Sequence, residues 1–254
     1  MKRFGLFFFT SVLVVSMMML FSFPAVSNAA SMAEAKKLFE QRADVEKAKK
    51  GISMFQKIQE DDPKNLEAFE LGSRLTVYLA MDLGANEETQ MDAFEYMAIA
   101  SDMTDEWIKV APNSAAANFW KAYAAAASKD IKTALTYGQK SYEIDKTYLN
   151  GMPALVMGYL KGKLPPFLGG DKVASYKFID EAMEAAPDNL MIHRIKATLL
   201  VDDLKAAAQK ALVHLQFVME SEAPKGWEPE ARRDKQAATD FMKQYGEAMK
   251  TLAK

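Results

Sequence analysis

The chain has 254 residues, with 32 Lys and Arg against 34 Asp and Glu, and no cysteine. A near-balanced charge gives no reason to expect nucleic acid or an anionic membrane surface as partner. The absence of cysteine excludes disulfides, thiol chemistry and the acylated residue of a lipoprotein.

Lys2 and Arg3 open the chain and are followed by an apolar run from Phe4 to Phe23, then by Pro24 and the small residues around Ser27 and Ala29. This is the pattern of a secretory signal peptide, 1–29, cleaved near Ala29. Export to the periplasm follows as an expectation. A run of that length can also span a bilayer, so an uncleaved N-terminal anchor is the alternative. Removing 1–29 leaves 30 basic against 34 acidic residues in a domain 30–254, long enough for a sizeable core.

From Ser31 onward apolar residues recur three and four apart, with almost no alternating β-branched run, so the fold class is all-α. The periodicity predicts helix pairs at 32–43 and 46–60, 65–83 and 89–110, 114–128 and 130–144, 148–162 and 172–186, and 189–203 and 205–221. A last amphipathic helix, from about Glu228 to Ala253, is expected to cap the stack.

The second helices can be laid over one another: "GISMFQKIQEDDP" (51–63), "ASDMTDEWIKVAP" (100–112), "ALTYGQKSYEIDK" (134–146) and "SYKFIDEAMEAAP" (175–187). Each opens on a small residue and most end on proline. They resemble the second helix of a tetratricopeptide repeat, in which small positions let two helices approach and proline ends the unit. Pro112 to Lys146 spans 34 residues, one such repeat, whereas Pro63 to Pro112 spans 49 and Lys146 to Pro187 spans 41. The expected fold is a tetratricopeptide-like helical-hairpin solenoid with two enlarged units.

The second enlargement is the stretch Leu164-Pro165-Pro166-Phe167-Leu168-Gly169-Gly170-Asp171. The prolines end one helix, the two glycines suit positive φ, and Asp171 suits the cap of the next helix. A plain connection is short and polar, so an apolar, stiff one suggests contact with something. It is expected to fold back, with Phe167 and Leu168 packing towards Trp120, Tyr123 and Tyr159 and narrowing a groove into a cavity. Presentation of the insert to a partner is the alternative.

Residues 141–189 with this insert, and "PNSAAANFWKAYAAAA" (112–127), resemble the T component of tripartite, ATP-independent periplasmic (TRAP) transporters, the TatT-type proteins. The resemblance implies a noncatalytic periplasmic helper with an apolar groove. It implies a partnership with the transporter's solute-binding protein and an apolar or amphipathic small ligand; homo-oligomers are also compatible with it. Trp120, Tyr123, Tyr159, Leu164, Phe167 and Leu168 are the candidate binding residues, and Gly169, Gly170 and Asp171 the structural turn and cap. The chain departs from the many lipoproteins of that family in having no cysteine.

A general scaffold for protein–protein contacts in the cell envelope is the second reading. It predicts a polar concave face, for which Asn118 and Lys121 are the candidates. A membrane-anchored enzyme accessory is a third. Catalytic chemistry has little to stand on: no Gly-x-Ser-x-Gly, no phosphate loop, and no nucleophile beside a placed base. No cofactor is expected. His193 and His214 lack the donors that a metal site needs, and Asp61-Asp62 and Asp202-Asp203 read as solvated helix ends. Methionines such as Met91, Met97, Met103, Met152, Met157 and Met183 suit either uneven helix contacts or an adaptable binding surface. Trp107 stands where a repeat wants a small residue, and it is expected to fill space made by the long second unit.

Overall fold

A computed structural model describes residues 26–201 and 207–252. Residues 1–25, the bulk of the expected signal peptide, lie outside it, as do Asp202 and Asp203. The elements in order are α1 (Val26–Glu40), α2 (Val45–Asp61), α3 (Leu66–Leu83), α4 (Gln90–Val110), α5 (Ala115–Ala127), α6 (Ile131–Ile144), α7 (Tyr148–Lys163), α8 (Lys172–Ala185), α9 (Leu190–Val201), α10 (Ala208–Glu220) and α11 (Glu228–Leu252). Short 3₁₀ turns, Glu87–Thr89 and Pro166–Leu168, stand inside the two enlarged units. None of the described helices is long and apolar enough to cross a membrane.

Side-chain caps set the helix starts. Asp44, Asn65, Ser114, Asp130 and Asp171 each accept a hydrogen bond from a backbone N–H in the first turn that follows. Neighbouring helices pack as antiparallel pairs, α1 with α2 through α9 with α10. The first helices of successive pairs also touch: α3 with α5, α5 with α7, α7 with α9. That layout is a superhelix with the first helices lining its inner face.

The repeat positions explain the closeness of the pairs. Gly51, Ala100, Ala134 and Ser175, which open the four aligned segments, are all buried. A Cβ on Gly51 would lie 2.8 Å from Leu75 Cδ2. Eight positions into each segment, Ile58, Trp107, Ser141 and Ala182 are buried as well. Trp107 fills the wider second unit and stacks on Phe69, with ring centroids 6.1 Å apart and planes at 13°.

α7 begins abnormally. Leu149, Asn150 and Gly151 have φ of 45°, 57° and 84°, so its regular turns start at Met152 with Pro153 in the first. Proline is tolerated there because that N–H has no helical acceptor.

The last helix does more than the cap expected from the sequence. Ala238 and Met249 pack with Leu190, Leu200 and Leu215 of the last pair. The first two turns reach across the inner face to the opposite end of the stack, because Glu230 and Asp234 are drawn to arginines of α3, α9 and the α1–α2 turn.

Candidate functional site

The inner face is built from aromatic and thioether side chains on α3, α5, α7 and α9. Phe119, Trp120, Tyr123 and Tyr148 form a cluster, with Phe119 edge-on to Trp120 at 4.8 Å and to Tyr148 at 5.6 Å. The Trp120 indole N–H donates to Tyr148 Oη at 3.0 Å, and that hydroxyl donates to Glu70 Oε1 at 2.7 Å. Burial and the Glu70 carboxylate both push the Tyr148 phenol well above its ordinary range. Burial raises the Tyr123 phenol too, whose Oη lies 2.9 Å from Met81 Sδ.

Beside this cluster lies a cavity of about 290 Å³, lined by Met81, Tyr123, Met152, Leu155, Tyr159, Met191 and Ile195 among others, with Arg194 the one charged group in its wall. A second, of about 270 Å³, is lined by Asn150, Met152, Pro187, Met191, Trp227, Glu230 and Asp234 among others. Met152 and Met191 border both.

Of the residues expected to form the site, Trp120, Tyr123 and Tyr159 are brought together on the inner face. Leu164 packs partly into the same core, but it does not border the described cavities. Phe167 and Leu168 do not fold back: they are 84 % and 45 % exposed, and Val173 just beyond is 70 % exposed. The loop's own hydrogen bonds dictate this outcome. Lys161 Nζ donates to Gly169 O at 2.9 Å, Gly170 N to Pro165 O at 3.1 Å, and Asp171 N to Lys161 O at 2.9 Å, so the turn closes on itself with Phe167 outward.

The two glycines serve different ends. Gly169 has φ 92° as expected, whereas Gly170 does not have positive φ and is needed for space: a Cβ there would lie 1.8 Å from Leu164 O. Asp171 caps α8 by accepting from Ala174 N at 3.0 Å.

Asn118 and Lys121 do not form a polar concave face. Asn118 Nδ2 donates to Pro112 O and Ser114 O, and Lys121 Nζ pairs with Asp105 at 2.7 Å and with Ser101 Oγ at 3.1 Å. Lys121 is spent in the contact between α4 and α5, while Asn118 is tied to the turn before α5 with its Oδ1 buried and unpartnered.

The charges that do face inward are on α11 and its neighbours. Arg42 binds Glu230 through Nε at 3.1 Å and Nη2 at 2.6 Å, and Arg74 reaches Glu230 at 3.4 Å. Arg194 Nε donates to Asp234 Oδ1 at 2.8 Å. Burial pushes the Asp234 carboxyl up, opposed by Arg194. The Arg74 guanidinium lies 4.1 Å over the Trp227 ring. Sequence reading missed these residues. The available signal was Trp227 just before α11, with Glu230 and Asp234 following at three- and four-residue spacing.

His193 and His214 meet through their Nδ1 atoms at 2.9 Å, and His193 Nε2 lies 2.7 Å from Pro187 O. Among the described residues no three metal-binding side chains converge.

No family model matches the chain, and no curated protein is significantly similar to it. Solved structures do match in fold. PilW, a type IV pilus biogenesis factor, is 15 % identical, with 87 % of this chain and 93 % of that one covered at a TM-score of 0.54. MamA is 13 % identical with 87 % and 94 % covered at 0.43, and YrrB, a TPR protein with an unusual peptide-binding site, 13 % with 85 % and 98 % covered at 0.45. The buried repeat positions and the likeness to PilW define the class: a tetratricopeptide-like helical-hairpin solenoid. At these identities the likeness reaches no further than the fold.

Proposed function

We propose that this chain is an exported, noncatalytic scaffold that binds another protein through the rim carrying Phe167, Leu168 and Val173. One observation carries the reading: a phenylalanine 84 % exposed on a loop that three hydrogen bonds hold rigid. A loop of this kind loses little conformational entropy on docking and offers an aromatic anchor. The noncatalytic part rests on a sequence without a nucleophile–base set. Export rests on the signal-peptide pattern of residues 1–29, with cleavage near Ala29.

The finer reading is a T-component-like adaptor whose partner is the solute-binding protein of a TRAP transporter. The Leu164–Asp171 insert supports it, as does the largely apolar cavity of about 290 Å³ at Tyr159, which suits an apolar or amphipathic ligand. Co-purification of the exported protein with periplasmic solute-binding proteins tests it, beside a Phe167→Asp variant with unchanged circular dichroism. Capture by the native protein and loss in the variant are expected. Capture of a different envelope protein through the same residue supports the general scaffold and ends the T-component reading. Equal capture by both proteins ends the proposed rim.

A further inference from the structure

We infer that Tyr78 and Arg233 form the head-group site for a medium-chain carboxylate, a monoanionic amphiphile whose alkyl tail lies in the apolar cavity beside Tyr159. The inference rests on the reading of that cavity as a ligand site and adds what fixes the ligand's charge and direction.

The head-group site is a small space of about 30 Å³ where α3, α7 and α11 meet, with Arg74, Tyr78, Trp227, Glu230 and Arg233 in its wall. Tyr78 is 3 % exposed, and its hydroxyl is buried without a hydrogen-bond partner. Nη1 of Arg233 is buried without one as well, and that guanidinium lies 5.3 Å from the centre of the Tyr78 ring. Glu230 is the one acid in this wall, and Arg42 and Arg74 already hold it. A guanidinium has donors and no acceptor, and a phenol has one donor to give. Two unmet donors in one wall, one of them cationic, favour an anionic acceptor. A water between them would meet the hydrogen bonds and leave the cation without a counter-charge.

Size narrows the choice of anion. One water needs about 10–15 Å³ of such space, so the site holds two or three heavy atoms. A carboxylate fits, and a phosphate with its four oxygens does not.

The tail follows from what the site adjoins. Met81, Tyr123, Met152 and Met191 border both this space and the cavity of about 290 Å³, and so form the partition between them. Three of the four are methionines, whose unbranched thioether side chains rearrange readily around a guest. Tyr123 spends its hydroxyl on Met81 Sδ at 2.9 Å, a weak acceptor that a carboxylate oxygen outcompetes. Arg233 and Arg194 both act to lower the Tyr123 phenol, each more strongly than Asp234 acts to raise it, so the partition lies in a positive field. Beyond it the wall is apolar, with Leu155, Val156, Leu160 and Ile195. Arg194, the one charge there, is already met by Asp234. The uncommitted cation therefore lies at the Tyr78 end, and the acid head points that way. A chamber of this volume is at the small end for ligand sites, which sets a medium-length tail.

Calorimetric titration of octanoate, 1-octanol and octyl phosphate into the wild-type protein, Tyr78→Phe and Arg233→Met is the test. The wild type is expected to bind octanoate about tenfold more tightly than the alcohol, as for charge-assisted hydrogen bonds in a desolvated site, and more tightly than octyl phosphate. Each substitution is expected to lower octanoate affinity about tenfold and to leave octanol binding unchanged. The Tyr78 hydroxyl has no partner to lose, so Tyr78→Phe is expected to keep the wild-type thermal midpoint. The wild-type comparison needs no variant to fold. Equal affinity for octanoate and octanol overturns the head-group site and leaves the apolar cavity standing. Octanoate binding that neither substitution weakens overturns it too, and tighter binding of octyl phosphate overturns the carboxylate. Absence of binding by all three at millimolar concentration ends both the head-group site and the cavity reading. Phe167→Asp is expected to bind octanoate as the wild type does, so partner capture through the rim stands or falls separately.

Discussion

Arg42 and Glu230, 188 residues apart in the chain, form a buried two-point ion pair that joins the first helical pair to the last helix. Arg42 is fully committed, since Nη1 donates to Phe39 O at 3.2 Å and Nη2 to Gly226 O at 2.7 Å. Glu230→Ala leaves this guanidinium buried without its carboxylate. The expected loss is about 3–5 kcal/mol, the range for breaking one half of a buried pair. The double variant Arg42→Met/Glu230→Leu removes both charges and recovers most of that loss. Urea unfolding of the three proteins checks it; a double variant no better than Glu230→Ala sinks the argument.

The two glycines of the insert respond in a fixed order. Gly169→Ala puts a Cβ on a residue with φ 92° and costs about 1–2 kcal/mol. Gly170→Ala cannot be relieved so simply, because its Cβ would sit 1.8 Å from Leu164 O. The loop must open, giving up the bonds from Gly170 N to Pro165 O and Asp171 N to Lys161 O. Two hydrogen bonds at about 0.5–1.5 kcal/mol each, with the steric displacement added, make Gly170→Ala the more damaging change. Thermal unfolding in which Gly169→Ala unfolds first contradicts the assignment.

These two positions show how far the sequence could be read. Helix positions were legible because a small residue opens each aligned second helix and a proline ends most of them, even where the unit is enlarged. That a glycine was required at 169 and 170 was legible; which needed backbone freedom and which needed space was not, because the second depends on a carbonyl six residues earlier. The direction of Phe167 depends on hydrogen bonds from Lys161 and Asp171, which no periodicity encodes. Glu230 and Asp234 look like a solvated helix face until Arg42, Arg74 and Arg194 arrive from distant helices. The same holds for His193 and His214, two residues on different helices that only the pairing of α9 with α10 brings together.

The cavity and the insert are separable. Met191 borders both larger cavities, whereas Phe167 borders neither. Met191→Trp is expected to fill part of the space and lower binding of an environment-sensitive apolar dye severalfold, with an overpacking cost of about 1–3 kcal/mol. Phe167→Ala is expected to leave dye binding unchanged and stability within about 0.5 kcal/mol, as for an exposed side chain. Phe119→Ala, by contrast, removes a fully buried ring and costs about 3–5 kcal/mol. Loss of dye binding in Phe167→Ala would return the insert to the cavity wall.

The histidine pair makes stability depend on pH. Pro187 O can only accept, so His193 Nε2 carries a proton, and His193 Nδ1 accepts from His214 Nδ1–H. Both rings are neutral in this arrangement. Burial lowers the His193 pKa, and burial together with His193 and Lys196 lowers that of His214 to about 4. Between that value and the ordinary 6.5 the unfolded chain binds more protons than the folded one, so stability falls as pH falls through this window. Asp234 works in the opposite sense: its raised pKa lets the folded state take up a proton first and adds stability on acidification. The His214 contribution is therefore isolated by comparing wild type with His214→Gln, which keeps a donor for His193 and does not titrate. From pH 7.5 to 4.5 the wild type is expected to lose about 1 kcal/mol relative to the variant, well short of the full shift because the ring is half open to solvent. That is a relative fall in midpoint of about 2–4 °C for a domain of this size. Parallel thermal midpoints across the range would mean that the pair does not titrate as the geometry requires.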